Sequence, residues 1–151
     1  MDYNFNVKTN KSDSLTLDDF KGKLLVLYFY PKDNTPGCSI QAADFSDMYD
    51  EFKSLGAEIL GVSKDSKSSH DKFTEKFNIP YELVVDDEKK LLEQYGVLED
   101  GTMFGKPVKK TIRSTFLFDE EGNLIKEWRK VQAKGHAEEV LEFIKEYKNN
   151  K

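Results

Sequence analysis

The chain has 151 residues, of which 38% are hydrophobic and 34% are charged, and it carries a formal net charge of −5. This length and apolar content suffice for one domain with its own core, which we expect over residues 1–151, and they argue against disorder. The acidic charge disfavours a nucleic-acid partner. No run approaches the roughly 20 apolar residues that span a bilayer, which disfavours a membrane partner.

The apolar pattern alternates between periods of two and 3.6 residues, which indicates strands that alternate with helices. Residues 24–30 form a short, continuous apolar run that is typical of a central buried strand. The later predicted segments are a helix around 45–52, a strand at 59–62, a helix at 68–77, a strand at 83–85, a short helix at 91–95, a hairpin of strands 115–118 and 124–128, and a terminal helix around 137–144.

The predicted element order is β-α-β-α-β-α-β-β-α. A βαβ section followed by a ββα section is the order of a thioredoxin-like domain, although alternation alone equally fits a doubly wound sheet such as that of flavodoxin. The predicted fold class is therefore α/β, with a central mixed sheet flanked by helices. The choice of the thioredoxin-like fold depends on the motif that follows the first long strand.

That motif is PKDNTPGC, from Pro31 to Cys38, the only cysteine of the chain. Thr35 is a favourable N-cap and Pro36 is favoured at the first helical position, so a helix is predicted to begin here. Cys38 then lies in the first turn, where unpaired N–H groups and the positive end of the helix dipole stabilise a thiolate. The thiolate is the nucleophilic form of cysteine.

A lone cysteine is commonly a small buried hydrophobic residue, and bare spacing leaves that interpretation open. The position of Cys38 favours a functional role, because it follows a strand at a strand-to-helix loop, where α/β folds carry function. Its neighbours Gly37 and Ser39 are not typical of a core helix face.

The pattern Pro31-x-x-x-Thr35-x-x-Cys38 resembles the active-site signature of the peroxiredoxins. The longer stretch YFYPKDNTPGC resembles the branch of bacterioferritin comigratory protein, also called peroxiredoxin Q. Further matches to this branch are LTLDDFKGK at 15–23, YGV at 95–97, FGK at 104–106, RSTFLFD at 113–119 and GHAEEVL at 135–141. The resemblance therefore covers nearly the whole chain and favours the thioredoxin-like fold.

The resemblance implies a thiol peroxidase that reduces hydrogen peroxide and organic hydroperoxides in antioxidant defence. Cys38 corresponds to the peroxidatic cysteine, Thr35 to the active-site threonine, Pro31 to the proline that shields the thiolate, and Arg113 to the family's arginine. Cys38 would pass through a sulfenic acid that an external thiol such as thioredoxin reduces. The resemblance implies a monomer or weak homodimer. The chain has no metal-ligand pair or nucleotide-binding motif, so we expect no cofactor or metal.

The sequence departs from the branch at Ala43, where many members carry a resolving cysteine five residues after the first. An internal disulfide is therefore impossible. Either the chain is a natural one-cysteine member or alanine replaces a resolving cysteine, and the sequence fits both. Without a nearby second thiol, overoxidation to sulfinic acid is the expected hazard.

Other residues yield weaker hypotheses. His70 and His136 lie at spacings unrelated to Cys38, which argues against a metal site and marks neither as the base of a hydrolase. His70 is expected to be exposed on its helix, and His136 to begin the last helix. Met103 and Phe104 are expected in an exposed loop, where they would line an apolar entrance or have no role.

Two classes of function remain. A peroxidase is favoured because Thr35 and Arg113 accompany Cys38, whereas a redox sensor or binding module of the same fold needs only a reactive thiol. The first ten residues lack a signal-peptide pattern. Together with the absence of disulfides, this predicts a cytoplasmic protein.

Overall fold

The computed structural model describes residues 2–150. Its first half contains β1 (Asn6–Val7), β2 (Leu15–Thr16), a 3₁₀ turn (Leu17–Phe20), β3 (Leu24–Phe29), α1 (Pro36–Asp47), α2 (Tyr49–Ser54), β4 (Ala57–Ser63) and α3 (Lys67–Phe77). Its second half contains β5 (Glu82–Val85), α4 (Lys90–Gln94), β6 (Leu98–Met103), β7 (Lys106–Thr111), β8 (Ser114–Phe118), β9 (Leu124–Trp128) and α5 (His136–Asn149).

The central sheet has the strand order β5-β4-β3-β8-β9. β3 pairs in parallel with β4, and β4 pairs in parallel with β5, whereas β3–β8 and β8–β9 are antiparallel. Every residue of β3 is buried, because helices cover both faces of the sheet at this strand. The predicted mixed sheet is thus found, and its five strands follow one another along the chain as predicted.

Side chains of β3 alternate between two apolar clusters, as the two-residue period of a strand requires. Val26 and Tyr28 lie in a cluster with Cys38 and with residues of α1, α3 and α5. Leu27 and Phe29 lie in the other cluster, with residues of α4 and β8. Cys38 therefore sits against one of the two halves of the core.

Two differences from the predicted elements concern the middle of the chain. The helix predicted around residues 45–52 is two helices, because the chain leaves helical geometry at Met48, with φ −97° and ψ 2°. The two strands of the β6–β7 hairpin are absent from the predictions. Their residues are mostly exposed, and five of the twelve are charged, so they lack the apolar alternation that identifies a strand.

The turn of this hairpin lacks the residues that usually mark such a turn in a sequence. Met103 pairs with Lys106, so the loop has two residues, Phe104 and Gly105. Both have positive φ, 53° and 78°, as a type I′ turn requires. Asparagine or glycine is usual at the first of these positions, and phenylalanine gives no such signal.

Among residues 2–150, no helix combines the length and the apolar character that crossing a bilayer requires.

Candidate active site

The loop that joins β3 to α1 places Cys38 as predicted. Thr35 is the N-cap residue, with extended backbone angles, and Pro36 opens the helix. Cys38 is the third helical residue and is 2% exposed. Its first-turn position confirms the predicted helix start and puts the sulfur where unpaired backbone N–H groups and the helix dipole favour negative charge.

Arg113 reaches this sulfur from the residue just before β8. Its Nη2 donates a hydrogen bond to Cys38 Sγ at 3.3 Å, and its Nη1 donates to Gln41 Oε1 at 2.5 Å. A Cβ atom at position 37 would lie 3.2 Å from Nη2, so the glycine there leaves room for the guanidinium beside the helix start. A guanidinium at this distance stabilises a thiolate by charge and by hydrogen bonding.

Gln41 is a site residue that the sequence analysis missed. It lies three residues after Cys38, on the same face of α1, and is fully buried. Its Oε1 accepts from Arg113, while its Nε2 has no hydrogen-bond partner among the described residues. The sequence does contain a signal for it, because a polar residue three positions after Cys38 falls on a helix face that must otherwise pack against the core.

The hydroxyl of Thr35 bonds within its own loop and not to the helix that it precedes. Oγ1 donates to the carbonyl oxygen of Lys32 at 2.9 Å and makes no capping bond to the helix backbone. Its proton is therefore committed within the loop, and its lone pairs remain available to accept. Pro31 lies half-buried in the same loop.

Two tyrosines lie on the core side of the site. Tyr28 and Tyr81 join their hydroxyls at 2.6 Å, and Tyr81 donates to the carbonyl of Ala42 at 3.3 Å. Burial raises the pKa of both, and for Tyr28 the neighbouring Tyr81, Tyr30 and Cys38 raise it further. Both hydroxyls stay protonated at neutral pH, so no phenolate competes with a thiolate for the charge of Arg113.

His136 begins α5, as predicted, and is buried. Its Nδ1 lies 2.9 Å from Glu139 Oε1, and its Nε2 lies 2.8 Å from Thr115 Oγ1. Burial lowers the pKa of His136, the carboxylate of Glu139 opposes this effect, and the charge of Arg113 adds to it. Its hydrogen bonds link α5 to β8 and do not include Cys38.

The prediction that His70 is exposed is wrong. The ring is completely buried, with Nδ1 2.7 Å from Asp33 Oδ2 and Nε2 2.8 Å from the carbonyl oxygen of Val84. A histidine can be buried when both ring nitrogens have partners, and these two partners come from distant parts of the chain. The sequence around His70 contains neither.

Met103 and Phe104 are exposed, as predicted, but they belong to the β6–β7 hairpin. Phe104 is 98% exposed at its tip. Within residues 2–150, no cluster of three histidine, cysteine, aspartate or glutamate side chains is arranged to hold a metal ion.

The model of one protein family, AhpC/TSA, matches residues 3–127. The chain belongs to this AhpC/TSA family. Peroxiredoxin Bcp of Bacillus subtilis (strain 168) is 51% identical over 140 residues, which cover 93% of this chain and 89% of the relative. This AhpC/TSA chain is accordingly a peroxiredoxin, a thiol peroxidase.

Solved structures confirm the fold of this AhpC/TSA chain. A cysteine-to-serine mutant of Xanthomonas campestris peroxiredoxin Q superposes with a TM-score of 0.89 at 41% identity, over 95% of this chain and 91% of that one. A second structure concerns the alkyl peroxide reduction activity of the bacterioferritin comigratory protein from the same organism, with a TM-score of 0.89 at 40% identity and coverage of 95% and 91%. The predicted thioredoxin-like fold and the resemblance to the peroxiredoxin Q branch are confirmed.

Proposed function

We propose that Cys38 is the peroxidatic cysteine, with Arg113, Thr35 and Pro31 completing the site that binds the peroxide. The observation that carries the proposal is the 3.3 Å hydrogen bond from Arg113 Nη2 to Cys38 Sγ. This contact joins the chain's one thiol to a fixed positive charge at the N-terminus of α1. Such surroundings are those of a reactive cysteine.

In the first step the Cys38 thiolate attacks the terminal oxygen of the hydroperoxide. An S–O bond forms, the O–O bond breaks, and the leaving oxygen takes a proton to become water or an alcohol. The sulfur loses two electrons and becomes a sulfenic acid, while the peroxide gains them. Arg113 donates to the oxygen on which negative charge develops, which lowers the barrier most when the donor is held in place beforehand.

Thr35 and Pro31 have supporting roles in this proposal. With its proton committed to Lys32, Thr35 Oγ1 is left to accept a hydrogen bond from the O–H of the attacked peroxide oxygen. Pro31 lacks an N–H group and limits the access of water to the sulfur. Gln41 holds the guanidinium through its bond to Arg113 Nη1.

The second step needs an external thiol, for which we propose thioredoxin. The thiol attacks the sulfenic sulfur, water leaves, and a mixed disulfide forms. A second thiol then attacks the mixed disulfide and releases Cys38. Cys38 has no second cysteine to pair with, and position 43 holds alanine, so the reductant must come from another molecule.

We further propose hydrogen peroxide and organic hydroperoxides as substrates, in the cytoplasm, for a chain that is one domain over residues 1–151 and acts as a monomer or weak homodimer. The alkyl peroxide activity ascribed to the similar Xanthomonas campestris protein supports the organic substrates. The lone unpaired cysteine fits a reducing compartment.

The test is turnover of hydrogen peroxide and cumene hydroperoxide with thioredoxin, thioredoxin reductase and NADPH, and in parallel with dithiothreitol. We expect turnover with both reductants, no turnover for Cys38→Ser, and a sulfenic acid that a dimedone-type probe traps at Cys38. Turnover with dithiothreitol alone would overturn the choice of thioredoxin. Activity that persists in Cys38→Ser would overturn the site itself.

A further inference from the structure

Asp33 is the centre of a buried polar cluster in the loop between β3 and α1. Its Oδ1 accepts from Tyr30 Oη at 2.6 Å, and its Oδ2 accepts from Ser69 Oγ at 2.8 Å and lies 2.7 Å from His70 Nδ1. Its backbone N–H donates to Asp65 Oδ2 at 2.8 Å. This one residue therefore connects the loop to α3 and to the segment that follows β4.

Both ring nitrogens of His70 are hydrogen-bonded inside this cluster. Nε2 faces the carbonyl oxygen of Val84, which can only accept, so Nε2 carries a proton and donates it. Nδ1 lies 2.7 Å from Asp33 Oδ2, which also accepts from Ser69 Oγ. The buried ring of His70 therefore ties Asp33 to β5.

Asp33, at the centre of the cluster, lies two residues before Thr35 and five before Cys38. The intervening Asn34 has a left-handed backbone, with φ 61°, and its Oδ1 accepts from Lys76 Nζ of α3 at 2.9 Å. Removing one partner of a buried hydrogen bond leaves the other polar group without that partner and away from water, so the segment at Asp33 would move to reach solvent. Such a movement would be passed directly to Thr35.

We propose that His70 is a positioning residue for the peroxide reaction. Through Asp33 it holds the loop of residues 31–35 in the conformation that presents Thr35 and Pro31 to a peroxide at Cys38. The proposal rests on the proposed function of Cys38 and Thr35. It assigns a role in that site to a residue on α3 that makes no contact with the sulfur.

Two substitutions of similar size separate the two hydrogen bonds of His70, one to Asp33 and one to Val84. His70→Gln places its amide nitrogen near the original Nε2, so it keeps the bond to Val84 and loses the one to Asp33. His70→Asn places its amide nitrogen near the original Nδ1, so it keeps Asp33 and loses Val84. If His70 only stabilises the fold, activity should follow the free energy of unfolding in both variants. If His70 positions the loop, activity should fall in the variant that loses the contact with Asp33.

The readout is the rate of Cys38 oxidation by hydrogen peroxide divided by its rate of alkylation by iodoacetamide, which needs no Thr35 hydroxyl. We expect His70→Gln to lower this ratio by about tenfold or more, since small displacements of a reacting group cost this much. His70→Asn should stay within about threefold of the unaltered protein, by the same argument. Ile79→Ala, a buried control just after α3 whose apolar side chain makes no hydrogen bond to Asp33, should leave the ratio unchanged.

Equal ratios in the Gln and Asn variants, or an unchanged ratio in His70→Gln, would overturn the proposal. If His70→Gln does not fold, Asp33→Ala takes its place, with the same expected loss and the same overturning result. A slow peroxide reaction in the unaltered protein would instead contradict the function proposed for Cys38, so the two failures are distinguishable.

Discussion

At the scale of residues, Arg113 is the side chain that distinguishes this site from a buried cysteine in a core helix. It comes from a part of the chain 75 residues away, and it contacts Cys38 and Gln41 at once. Because two of its nitrogens are held, the guanidinium keeps one orientation before a peroxide arrives. A fixed donor of this kind stabilises developing charge without reorganising.

Replacing Arg113 tests that interpretation. Arg113→Met should lower the second-order rate with hydrogen peroxide by about 100-fold or more, the loss typical of removing one preorganised donor. Arg113→Lys should recover little of it, because an ammonium group cannot bond Cys38 and Gln41 in the same planar geometry. Stopped-flow measurement of Cys38 oxidation checks both.

Arg129→Lys is the matched control, since that guanidinium bonds the carbonyls of Tyr95 and Gly96 and not Cys38. An Arg113→Met protein that reacts as fast as the Arg129→Lys control would contradict the role of Arg113.

Thr35 supplies a second prediction at this scale. Thr35→Val keeps the shape of the side chain but removes the hydroxyl, so both the bond to Lys32 and the proposed acceptor for the peroxide are lost. We expect the peroxide rate to fall at least about tenfold, within the range of positioned proton-transfer groups. Thr35→Ser should restore most of the rate, and equal rates for the Val and Ser variants would contradict the prediction.

The sequence revealed those site residues that carry local signals or a motif. The helix start at Thr35-Pro36-Gly37 was predictable from capping preferences, and Cys38 followed from it. Arg113 was reachable only through the family resemblance, because nothing local to it indicates Cys38. His70 was misplaced because its partners are distant in sequence.

At the scale of elements, α1 determines how Cys38 can meet a second thiol. Position 43 is five residues along the helix, about 7.5 Å of axial rise, which is farther than a disulfide can bridge without backbone movement. A cysteine there could react only when the start of α1 opens. The half-buried Ala43 has no such chemistry.

Ala43→Cys therefore reports on opening of the helix. After one equivalent of hydrogen peroxide we expect an intramolecular disulfide, detected as a loss of two mass units, with increased hydrogen exchange over residues 36–47. The variant should also resist overoxidation, because the sulfenic acid is consumed. The control is the double variant Cys38→Ser/Ala43→Cys, which lacks the Cys38 thiol and so cannot form this disulfide. A persistent sulfenic acid without disulfide would show that α1 stays closed.

The predictions of secondary structure are correct where burial imposes an apolar pattern on the sequence and wrong where it does not. β3, β4 and β8 form the buried centre of the sheet, and their apolar runs identify them. β6 and β7 bury no face, so their sequence has no reason to alternate. Apolar residues recur at helical spacing on both sides of the break at Met48, so periodicity alone cannot separate one helix from two.

At the scale of the whole molecule, the buried His136 couples stability to pH. Its pKa is lowered in the folded state, first by burial, while in the unfolded chain a histidine titrates near about 6.5. As pH falls through that unfolded value, the unfolded state binds a proton that the folded state does not. The free energy of unfolding should therefore decrease between pH 7.5 and pH 5.5.

His136→Gln isolates this contribution, since glutamine retains hydrogen-bonding capacity toward Thr115 or Glu139 without titrating. Urea unfolding at both pH values should show a smaller loss of stability on acidification in this variant than in the unaltered protein. The other titrating groups are common to both proteins and cancel. An equal or larger loss in His136→Gln would contradict the assignment.

The most direct test of the central claim is the second-order rate of Cys38 oxidation by hydrogen peroxide, followed by intact mass in the presence of a sulfenic-acid trap. The assembled contacts of Arg113, Thr35 and the first turn of α1 predict a rate orders of magnitude above that of free cysteine, with one trapped adduct at Cys38. A rate like that of free cysteine would contradict the claim that these residues form a peroxide-reducing site.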